Sequence, residues 1–591
     1  MKRIALYLTL LFLPLSSLQL AAQLPWQAES PKRELRAVWV ATLSGLDWPR
    51  TRATSPTGIE RQKEELRTLL DQLKAAHINT VLLQTRIRGS VIYPSNIEPW
   101  DVCLTGQFDR NPGYDPLQFA IEETHRRGMD LHAWIVTIPA FKTEAARKMG
   151  RRSLFKTHPN LLHKHNDQYY LDPGLPGTAD YLSSLVREVV NRYDVDGIHF
   201  DYIRYPENAT TFPDDKTFRT HGKGKAKPTW RRDNITHIVR RLYREVKAVK
   251  PWVVMSCSPV GKYRDTRRYS SRGWNSFDAV YQDAQGWLRE GIQDALFPMM
   301  YFTGDHFYPF AVDWQEGCYG RYVAPGLGIY FLHPQEKDWA LSVITRELHY
   351  LRRNGLSGQA YFRSKFLTDN TKGLYDYLQQ TFYPHPALPP AYTWLDPTPP
   401  STPEGFTETA IDDQLTELRW HPSTDRATGS QAKATANVRY NVYASYDYPV
   451  DITKGENLIA TALAEPRYIY NRRYPEQYGL NLAVTAMDRC GNESEPAQLG
   501  KERQTATQPA AERPRLRPLP GEEHYMPHDG HTLSLPDLET EYYLITDLTG
   551  RYVTSGTYRR QVDITRLCPG VYTVRTLQKR GVSRRIGDFK I

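Results

Sequence analysis

Between residues 35 and 385 the sequence alternates short apolar runs with longer amphipathic stretches, and we count eight apolar runs. Eight strand–helix units in this length are typical of a (β/α)8 TIM-type barrel. The alternative is a doubly wound sheet, which would need a glycine-rich phosphate loop after an early strand, and no GxGxxG occurs there. The predicted strands are Leu35–Ala41, Thr80–Gln84, Asp130–Val136, Gly197–Ile203, Trp252–Cys257, Ala295–Tyr301, Val323–Tyr330 and Gly358–Phe362. The predicted helices include Glu60–Ala76, Leu117–Arg127, Ala179–Tyr193, Asn234–Lys250, Gln285–Glu290, Gln335–Asn354 and one near Lys372–Gln380.

The composition changes after the barrel region. Pro397–Pro403 and Pro509–Pro520 are proline-rich linkers, and each precedes short alternating strands of the kind found in small β-sandwiches. The fold class we expect is α/β, with a (β/α)8 TIM-type barrel followed by two small all-β sandwich domains. The predicted boundaries are residues 1–22 for a signal peptide, 33–390 for the barrel, 391–404 for a linker, 405–505 for the first sandwich, 506–535 for a second linker and 536–591 for the last domain.

The N-terminus has the pattern of a secretory signal peptide. Lys2 and Arg3 supply positive charge, Ile4–Leu20 is apolar, and Ala21 and Ala22 offer small residues for cleavage. Because Pro14 and polar serines interrupt the apolar stretch, we expect no integral membrane span once the signal is removed. The inference is export.

Charge and cysteine content narrow the classes of partner and site. The net charge is +10, but lysine and arginine are spread along all 591 residues, which is typical of a basic soluble protein; weak attraction to an anionic polymer or cell surface is the alternative. We expect no nucleic-acid partner. The five cysteines are far apart and form no CxxC pair, so we predict neither a structural zinc site nor a disulfide framework.

The segment Asp196–Pro206, DGIHFDYIRYP, contains an acid within an apolar strand. Burying the Asp201 carboxylate without a partner would be costly, and packing gives no reason for an acid at that position. Catalytic groups of α/β barrels lie at the carboxyl ends of the strands, and perturbed acids cluster at functional sites. We therefore predict that Asp201 is catalytic. The alternative is a structural salt bridge from Asp201 to Arg204 or another arginine.

Residues 33–385 resemble the glycosyl-hydrolase-like family ten of bacterial envelopes. The matching segments are ELRAVWVAT at Glu34–Thr42, YPSNIEPWD at Tyr93–Asp101, LTG at Leu104–Gly106, GYDPLQFAIEETHRRGMDLHAW at Gly113–Trp134, LDPGLP at Leu171–Pro176, YDVDGIHFDYIRYP at Tyr193–Pro206, WRRDN at Trp230–Asn234, SPVG at Ser258–Gly261 and GWLREGIQDALFPMMY at Gly286–Tyr301. The resemblance implies a TIM-type barrel that hydrolyses glycan strands, notably peptidoglycan without stem peptides.

The two later regions carry resemblances of their own. LRW at Leu418–Trp420, YNVYAS at Tyr440–Ser445 and VTAMDRCGNESEP at Val484–Pro496 resemble a fibronectin type III module. YYLITDLTGR at Tyr542–Arg551 and VDITRLCPGVYTVR at Val562–Arg575 resemble a C-terminal sorting domain of type IX secretion. That resemblance implies the type IX secretion machinery as a partner, with the periplasm in transit and then the outer-membrane surface or the extracellular space as the location.

Glycoside hydrolysis normally needs two carboxylates, so a second acid is expected beside Asp201. Glu98 is the first candidate, because the adjacent Trp100 could desolvate its carboxyl and raise its pKa. Anchoring of the loop to an arginine is the alternative role for Glu98. Asp283 is the reserve acid, and a helix N-cap is its alternative role.

Further side chains are expected to line the mouth and bind sugar. Arg86, His132, Trp134, Arg204 and Tyr301 are predicted to lie at strand ends, although His132 could equally be a core histidine. No HExxH, GxSxG or Walker sequence is present, and we expect no metal and no cofactor. Two hypotheses stay open. One is an exported glycosidase acting on a polysaccharide such as peptidoglycan, and the other is a non-catalytic glycan-binding barrel.

Overall fold

The computed structural model describes residues 30–412, 415–426, 438–471, 480–500, 526, 528–536, 542–547, 552–565, 567, 571–577 and 583–591. The predicted signal peptide, residues 1–22, lies outside the described residues, as does most of the predicted second linker. No helix among the residues described is long and apolar enough to cross a membrane.

The first domain is a parallel barrel with helices outside it, which confirms the predicted fold class. The strands are Leu35–Val40, Thr80–Arg86, Asp130–Val136, Gly197–Asp201, Val254–Ser258, Ala295–Leu296, the paired segments Tyr322–Val323 and Gly326–Leu327, and Gly358–Tyr361. We refer to them as the first to the eighth barrel strands. Each strand pairs with the next, and the first pairs with the eighth in the register Leu35 to Gly358.

The seventh barrel strand closes the ring although it is broken at Ala324–Pro325. Its first segment pairs with the sixth strand, and its second segment pairs with the eighth. Ala324 N donates to Leu296 O at 2.9 Å, while Ala360 N donates to Pro325 O at 3.0 Å, so both edges of the stretch are hydrogen-bonded. The barrel therefore has no free edge.

The helices of the barrel domain begin near prolines or polar caps, which are common helix starts. The longer ones are Pro56–Ala75, Pro116–Arg126, Pro176–Arg192, Asp215–His221, Lys227–Val249, Ala284–Arg289, Tyr308–Glu316 and Leu341–Arg353, and a last turn at Leu374–Tyr377 continues as a π-helix at Leu378–Phe382. Shorter helices are Val102–Thr105, Thr143–Ala146, Leu154–Thr157, Ser276–Ala279 and Ser364–Thr368. A three-stranded antiparallel sheet formed by Pro139–Lys142, Leu162–His165 and Gln168–Leu171 follows the third barrel strand.

Several elements differ from the sequence-based expectation, including the broken seventh strand, the helix Asp215–His221 and the three-stranded sheet described above. The fourth strand ends at Asp201, two residues early, because Tyr202 adopts a left-handed backbone with φ of 51°. The sixth strand spans only Ala295–Leu296, since Pro298 lacks the N–H that would extend the ladder. The helix Tyr308–Glu316, between the sixth and seventh strands, was not predicted, because its short aromatic sequence has little helical periodicity.

Alternation along the first barrel strand separates two cores. Ala37 and Trp39 point into the barrel, where they pack with Trp134 and Phe297 in the interior cluster. Val38 points outward into the larger core between strands and helices. The interior is thus filled by side chains, as expected for an eight-stranded barrel.

The regions after residue 405 are all β. The first contains two sheets, Thr407–Ala410, Leu415–Arg419 and Arg467–Asn471 in one, and Arg439–Ser445, Leu458–Leu463, Asn481–Met487 and Ala497–Leu499 in the other. The last contains Thr532–Ser534 paired with Gln561–Asp563, and a sheet of Tyr542–Asp547, Tyr552–Thr557, Val571–Leu577 and Ser583–Lys590.

The first all-β region contacts the amino-terminal end of the barrel through ion pairs that are partly shielded from solvent. Arg439 Nη1 lies 2.9 Å from Asp130 Oδ1, and Arg439 Nη2 lies 3.1 Å from Asp196 Oδ1. Arg489 pairs with Asp194 at 2.9 Å and with Asp196 at 3.3 Å. Asp130 begins the third strand and Asp196 precedes the fourth, so this contact lies at the end opposite the one where barrel enzymes place catalytic groups.

Candidate active site

Asp201 is the last residue of the fourth barrel strand, and its side chain is held between the two neighbouring strands. Trp134 Nε1, on the third strand, donates to Oδ2 at 3.2 Å, and Ser258 Oγ, at the end of the fifth strand, donates to Oδ1 at 3.0 Å. The backbone N–H of Tyr202 donates to Oδ1 at 2.8 Å. Asp201 makes no ion pair with Arg204 in the described structure, so it is not the salt-bridged strand anchor that the sequence left as an alternative.

The environment of Asp201 raises the pKa of its carboxyl above the usual value. Burial raises its pKa, and the Ser258 hydrogen bond and the Arg204 charge oppose that effect without cancelling it. The residue is only 6% exposed. A nearly buried carboxyl with no ion-pair partner at a strand end is an environment more typical of a functional site than of a surface charge.

Aromatic rings stand beside Asp201. Tyr301 stacks on Phe362, with centroids 5.4 Å apart and planes 28° apart, and Tyr330 meets the Tyr301 ring edge-on at 5.8 Å. Burial raises the pKa of Tyr301, and the charge of Asp201 raises it further. Apolar ring faces of this kind can pack on the apolar faces of sugar rings.

Glu98 and Arg86 form a buried ion pair in the barrel wall. Arg86 Nη2 donates to Glu98 Oε1 at 2.7 Å, Nε donates to Oε2 at 2.8 Å, and the Tyr181 hydroxyl donates to Oε1 at 2.6 Å. Glu98 is fully buried, and Arg86 also donates to Thr137 O at 3.0 Å. As an acid, Glu98 would have to leave this pair, so its catalytic role stays a prediction and the geometry favours the alternative of loop anchoring.

Three other predicted site residues lie away from Asp201. His132 sits four residues before the end of the third strand, so the expectation that it ends a strand is wrong; it is buried in the barrel with Nδ1 unpartnered, and burial lowers its pKa to about 4. Trp100 packs in the outer core. Asp283 caps the helix Ala284–Arg289, accepting from Gly286 N at 3.1 Å and from the Tyr263 hydroxyl at 2.6 Å.

Some residues near Asp201 were missed by sequence reasoning. Ser258 lies in a segment quoted for the family resemblance, but its role became visible only when the fourth and fifth strands were paired. Tyr202 and Arg88 follow strand ends, where barrel position alone could have singled them out. Arg204, which was predicted, lies with its Cζ 4.6 Å from the centroid of the Tyr202 ring.

One acidic cluster in the described structure has metal-like geometry, and it lies away from this site. Oxygens of Asp396, Asp425 and Asp488 lie within 4.8 Å of one another, and all three residues are buried. Burial raises the pKa of Asp488 to about 6, and the two neighbouring carboxylates contribute. The cluster belongs to the segments after the barrel and takes no part in the arrangement around Asp201.

A closed barrel with a buried carboxylate at the carboxyl end of a strand is an arrangement found in barrel enzymes. The chain belongs to the glycosyl hydrolase-like 10 family, whose model matches residues 34–317. It is 31% identical over 487 residues to "Glycosyl hydrolase YngK" of Bacillus subtilis (strain 168), covering 78% of this chain and 92% of that protein. It is 34% identical over 297 residues to "Glycosyl hydrolase DigH" of Escherichia coli (strain K12), covering 47% of this chain and 68% of that protein.

Among solved structures, the PgaB (BpsB) glycoside hydrolase domain from Bordetella bronchiseptica aligns with 15% identity and a TM-score of 0.39. The alignment covers 58% of this chain and 98% of that chain. The barrel itself rests on the strand pairing described above. The predicted family is confirmed.

Proposed function

We propose that the protein is an exported glycoside hydrolase that cleaves glycosidic bonds in a bacterial glycan, peptidoglycan strands without stem peptides in particular. The observation that carries the proposal is the Asp201 carboxyl, buried at a strand end, raised in pKa and flanked by Trp134 and Tyr301. The family membership supports hydrolysis of a glycan. The peptide-free strand is the substrate that the sequence resemblance implies.

Asp201 would act as an anionic group toward the sugar. The three groups that hydrogen-bond it, from Trp134, Ser258 and the Tyr202 backbone, can all donate, and donors stabilise a carboxylate. This suits a nucleophile, a base or a stabiliser of the positive charge that develops on the sugar in the transition state. The raised pKa sets the lower pH limit of that role.

The second carboxylate would come from one of two groups. Glu98 could serve only if substrate binding separated it from Arg86, which would leave an uncompensated buried charge and cost about 3–5 kcal/mol. Glu207 is accessible, since its side chain is 66% exposed, and its Oε1 lies 3.6 Å from Arg204 Nη2. Comparing Glu98→Gln with Glu207→Gln separates the two.

The buried state of Glu98 also supports the alternative function, a non-catalytic glycan-binding barrel. In that case Asp201 and the Tyr301–Phe362 stack would bind sugar without turnover. Saccharide binding by the wild type, with no product from any glycan, is the result that this alternative predicts.

The location belongs to the proposal as well. The signal-peptide pattern supports passage through the periplasm, and the C-terminal resemblance supports delivery by the type IX machinery to the outer-membrane surface or beyond. The fibronectin type III-like region would act as a spacer or glycan-surface adaptor. Cell fractionation of the native host, with and without residues 536–591, tests the route: retention in the periplasm after truncation is expected.

The activity is tested by release of soluble sugars from purified peptide-free peptidoglycan strands. We expect release by the wild type and none by Asp201→Asn at equal folded concentration. Asp180→Asn is the matched control, because Asp180 is an exposed aspartate on the outer helix Pro176–Arg192 with only a 3.8 Å contact to Arg241. No release by the wild type from these strands or from a panel of other glycans would contradict the proposal.

A further inference from the structure

Arg88 is a half-buried cation beside the barrel mouth that the structure leaves without a partner. It lies two residues beyond the end of the second barrel strand, and within the described part of the chain its side chain makes no hydrogen bond and no ion pair. The other arginine at this strand end, Arg86, is fully engaged by Glu98. Arg88 therefore has a different role from Arg86.

The backbone around Arg88 brings it to the same rim as Asp201. Gly89, with φ of +75°, packs so closely on Pro139–Lys142 that an added Cβ would lie 3.1 Å from the Phe141 ring and 3.4 Å from Ala140 O. Pro139 pairs with Tyr170 in the antiparallel sheet, and Ile138 N donates to Tyr202 O at 3.4 Å. Tyr170 and Tyr202 thus converge on the segment that Arg88 flanks.

Electrostatics agree with this placement. Burial raises the pKa of Tyr170 and of Tyr202, and the charges of Arg88 and Arg204 act on both hydroxyls in the opposite direction. Both hydroxyls therefore lie within electrostatic range of Arg88 and Arg204, and the Glu207 charge acts on the same two hydroxyls in the opposite sense.

Arg204 is also incompletely satisfied. It is 4% exposed, its Nε has no hydrogen-bond partner, and its Nη1 reaches only its neighbour's carbonyl, Tyr205 O, at 3.2 Å. Its single acidic contact is Glu207, 3.6 Å away and 66% exposed, and an exposed pair of that kind is weak. Apart from Asp201, which has hydrogen-bond donors of its own, these two cations have one weakly held acid beside them, so this part of the rim is attractive to an anion.

We propose that Arg88 and Arg204 form a subsite for a free carboxylate carried by a sugar of the bound glycan. The inference rests on the proposed function and deepens it. An arginine side chain matches the geometry of a carboxylate, whereas an unsubstituted neutral sugar offers these two groups no opposite charge. On a muramic acid residue the lactyl carboxylate is free when the stem peptide is absent and becomes a neutral amide when the peptide is attached. The subsite thus selects strands without stem peptides by charge as well as by size.

The test compares two forms of one substrate. Peptide-free strands are used as they are, and a second portion has its carboxylates converted to neutral carboxamides, which leaves length and linkage unchanged. We expect the wild type to lose roughly ten- to a hundredfold in kcat/KM on the amidated strands, the usual effect of a lost charge-assisted hydrogen bond. Arg88→Gln should lose a similar factor on the untreated strands and little more on the amidated ones.

A binding measurement keeps the test independent of turnover. The affinity for both strand forms is measured for the single variant Asp201→Asn and for the double variant that also carries Arg88→Gln. These affinities report on the subsite even if no sugar is released. Failure of the subsite is therefore distinguishable from failure of the hydrolase proposal. Arg241→Gln, on the outer helix Lys227–Val249, is the matched control for loss of one positive charge. The proposal is overturned if Asp201→Asn binds both strand forms with equal affinity. It is also overturned if adding Arg88→Gln lowers the affinity for both strand forms by the same factor.

Discussion

Arg439→Met should destabilise the protein, because Arg439 compensates the buried Asp196 and the partly exposed Asp130 of another domain. Its Nη1 lies 2.9 Å from Asp130 and its Nη2 lies 3.1 Å from Asp196. Burial and the Asp196 charge raise the pKa of Asp130, and Arg439 opposes them. Burial also acts to raise the pKa of Asp196, but His125, Arg439 and Arg489 together hold it well below its usual range.

The loss of unfolding free energy in Arg439→Met depends on which ion-pair partners the two aspartates keep. Removing one member of a buried ion pair costs about 3–5 kcal/mol. Asp196 would keep His125 at 2.7 Å and Arg489 at 3.3 Å, whereas Asp130 would have no ion pair. Because the Asp130 side chain is 26% exposed, solvent screens its charge, so we expect a loss below that range, about 1–3 kcal/mol, which lowers Tm by a few degrees. Since Asp130 is the uncompensated group, its protonation relieves the loss, and the deficit should be largest at neutral pH and shrink as the pH falls.

Thermal unfolding of the full chain at several pH values measures this directly. Arg419→Met is the matched control, because Arg419 is a 62% exposed arginine in the same region, paired with Glu417 at 2.9 Å, and an exposed pair contributes about 0–1 kcal/mol. The reasoning would be refuted if Arg439→Met had the same Tm as the wild type at neutral pH, or if its Tm deficit grew as the pH fell.

Three further predictions concern the barrel. Ser258→Ala removes a hydrogen bond that lowers the pKa of Asp201, so the acidic limb of kcat/KM should move to higher pH; an unmoved limb in the pH profile contradicts this. Glu98→Gln should lower Tm by several degrees, because the buried Arg86 loses its charge partner; unchanged Tm with lost kcat would instead favour Glu98 as the acid. Tyr301→Ala should raise KM about tenfold, with Tyr330→Phe as the control, and an unchanged KM would remove Tyr301 from the sugar site.

The features that the sequence predicted correctly depend on local pattern. The approximate position of each barrel strand follows from its apolar residues, and an acid at the end of an apolar run, Asp201, is visible before any strand is paired. Trp134 was predicted at the mouth and does donate to Asp201. Position at the carboxyl end of a parallel strand was enough for both residues.

The features that the sequence could not supply depend on pairs that are distant along the chain. Arg86 and Glu98 looked like two site residues, because nothing local indicates that they satisfy each other. His132 was placed at a strand end because the strand's last residue could not be fixed within a continuous apolar run. The contact of Arg439 with Asp130 joins two domains through residues that are 309 positions apart, and no spacing rule reaches that far.

The central claim, that Asp201 catalyses cleavage of a glycan, is tested most directly by the rate of sugar release from peptide-free peptidoglycan strands by wild type and Asp201→Asn, each shown to be folded by its Tm. The account predicts measurable release by the wild type and a loss of at least about a hundredfold in Asp201→Asn, the scale expected for a group that acts in the chemical step. A folded Asp201→Asn that releases sugar at the wild-type rate would contradict it.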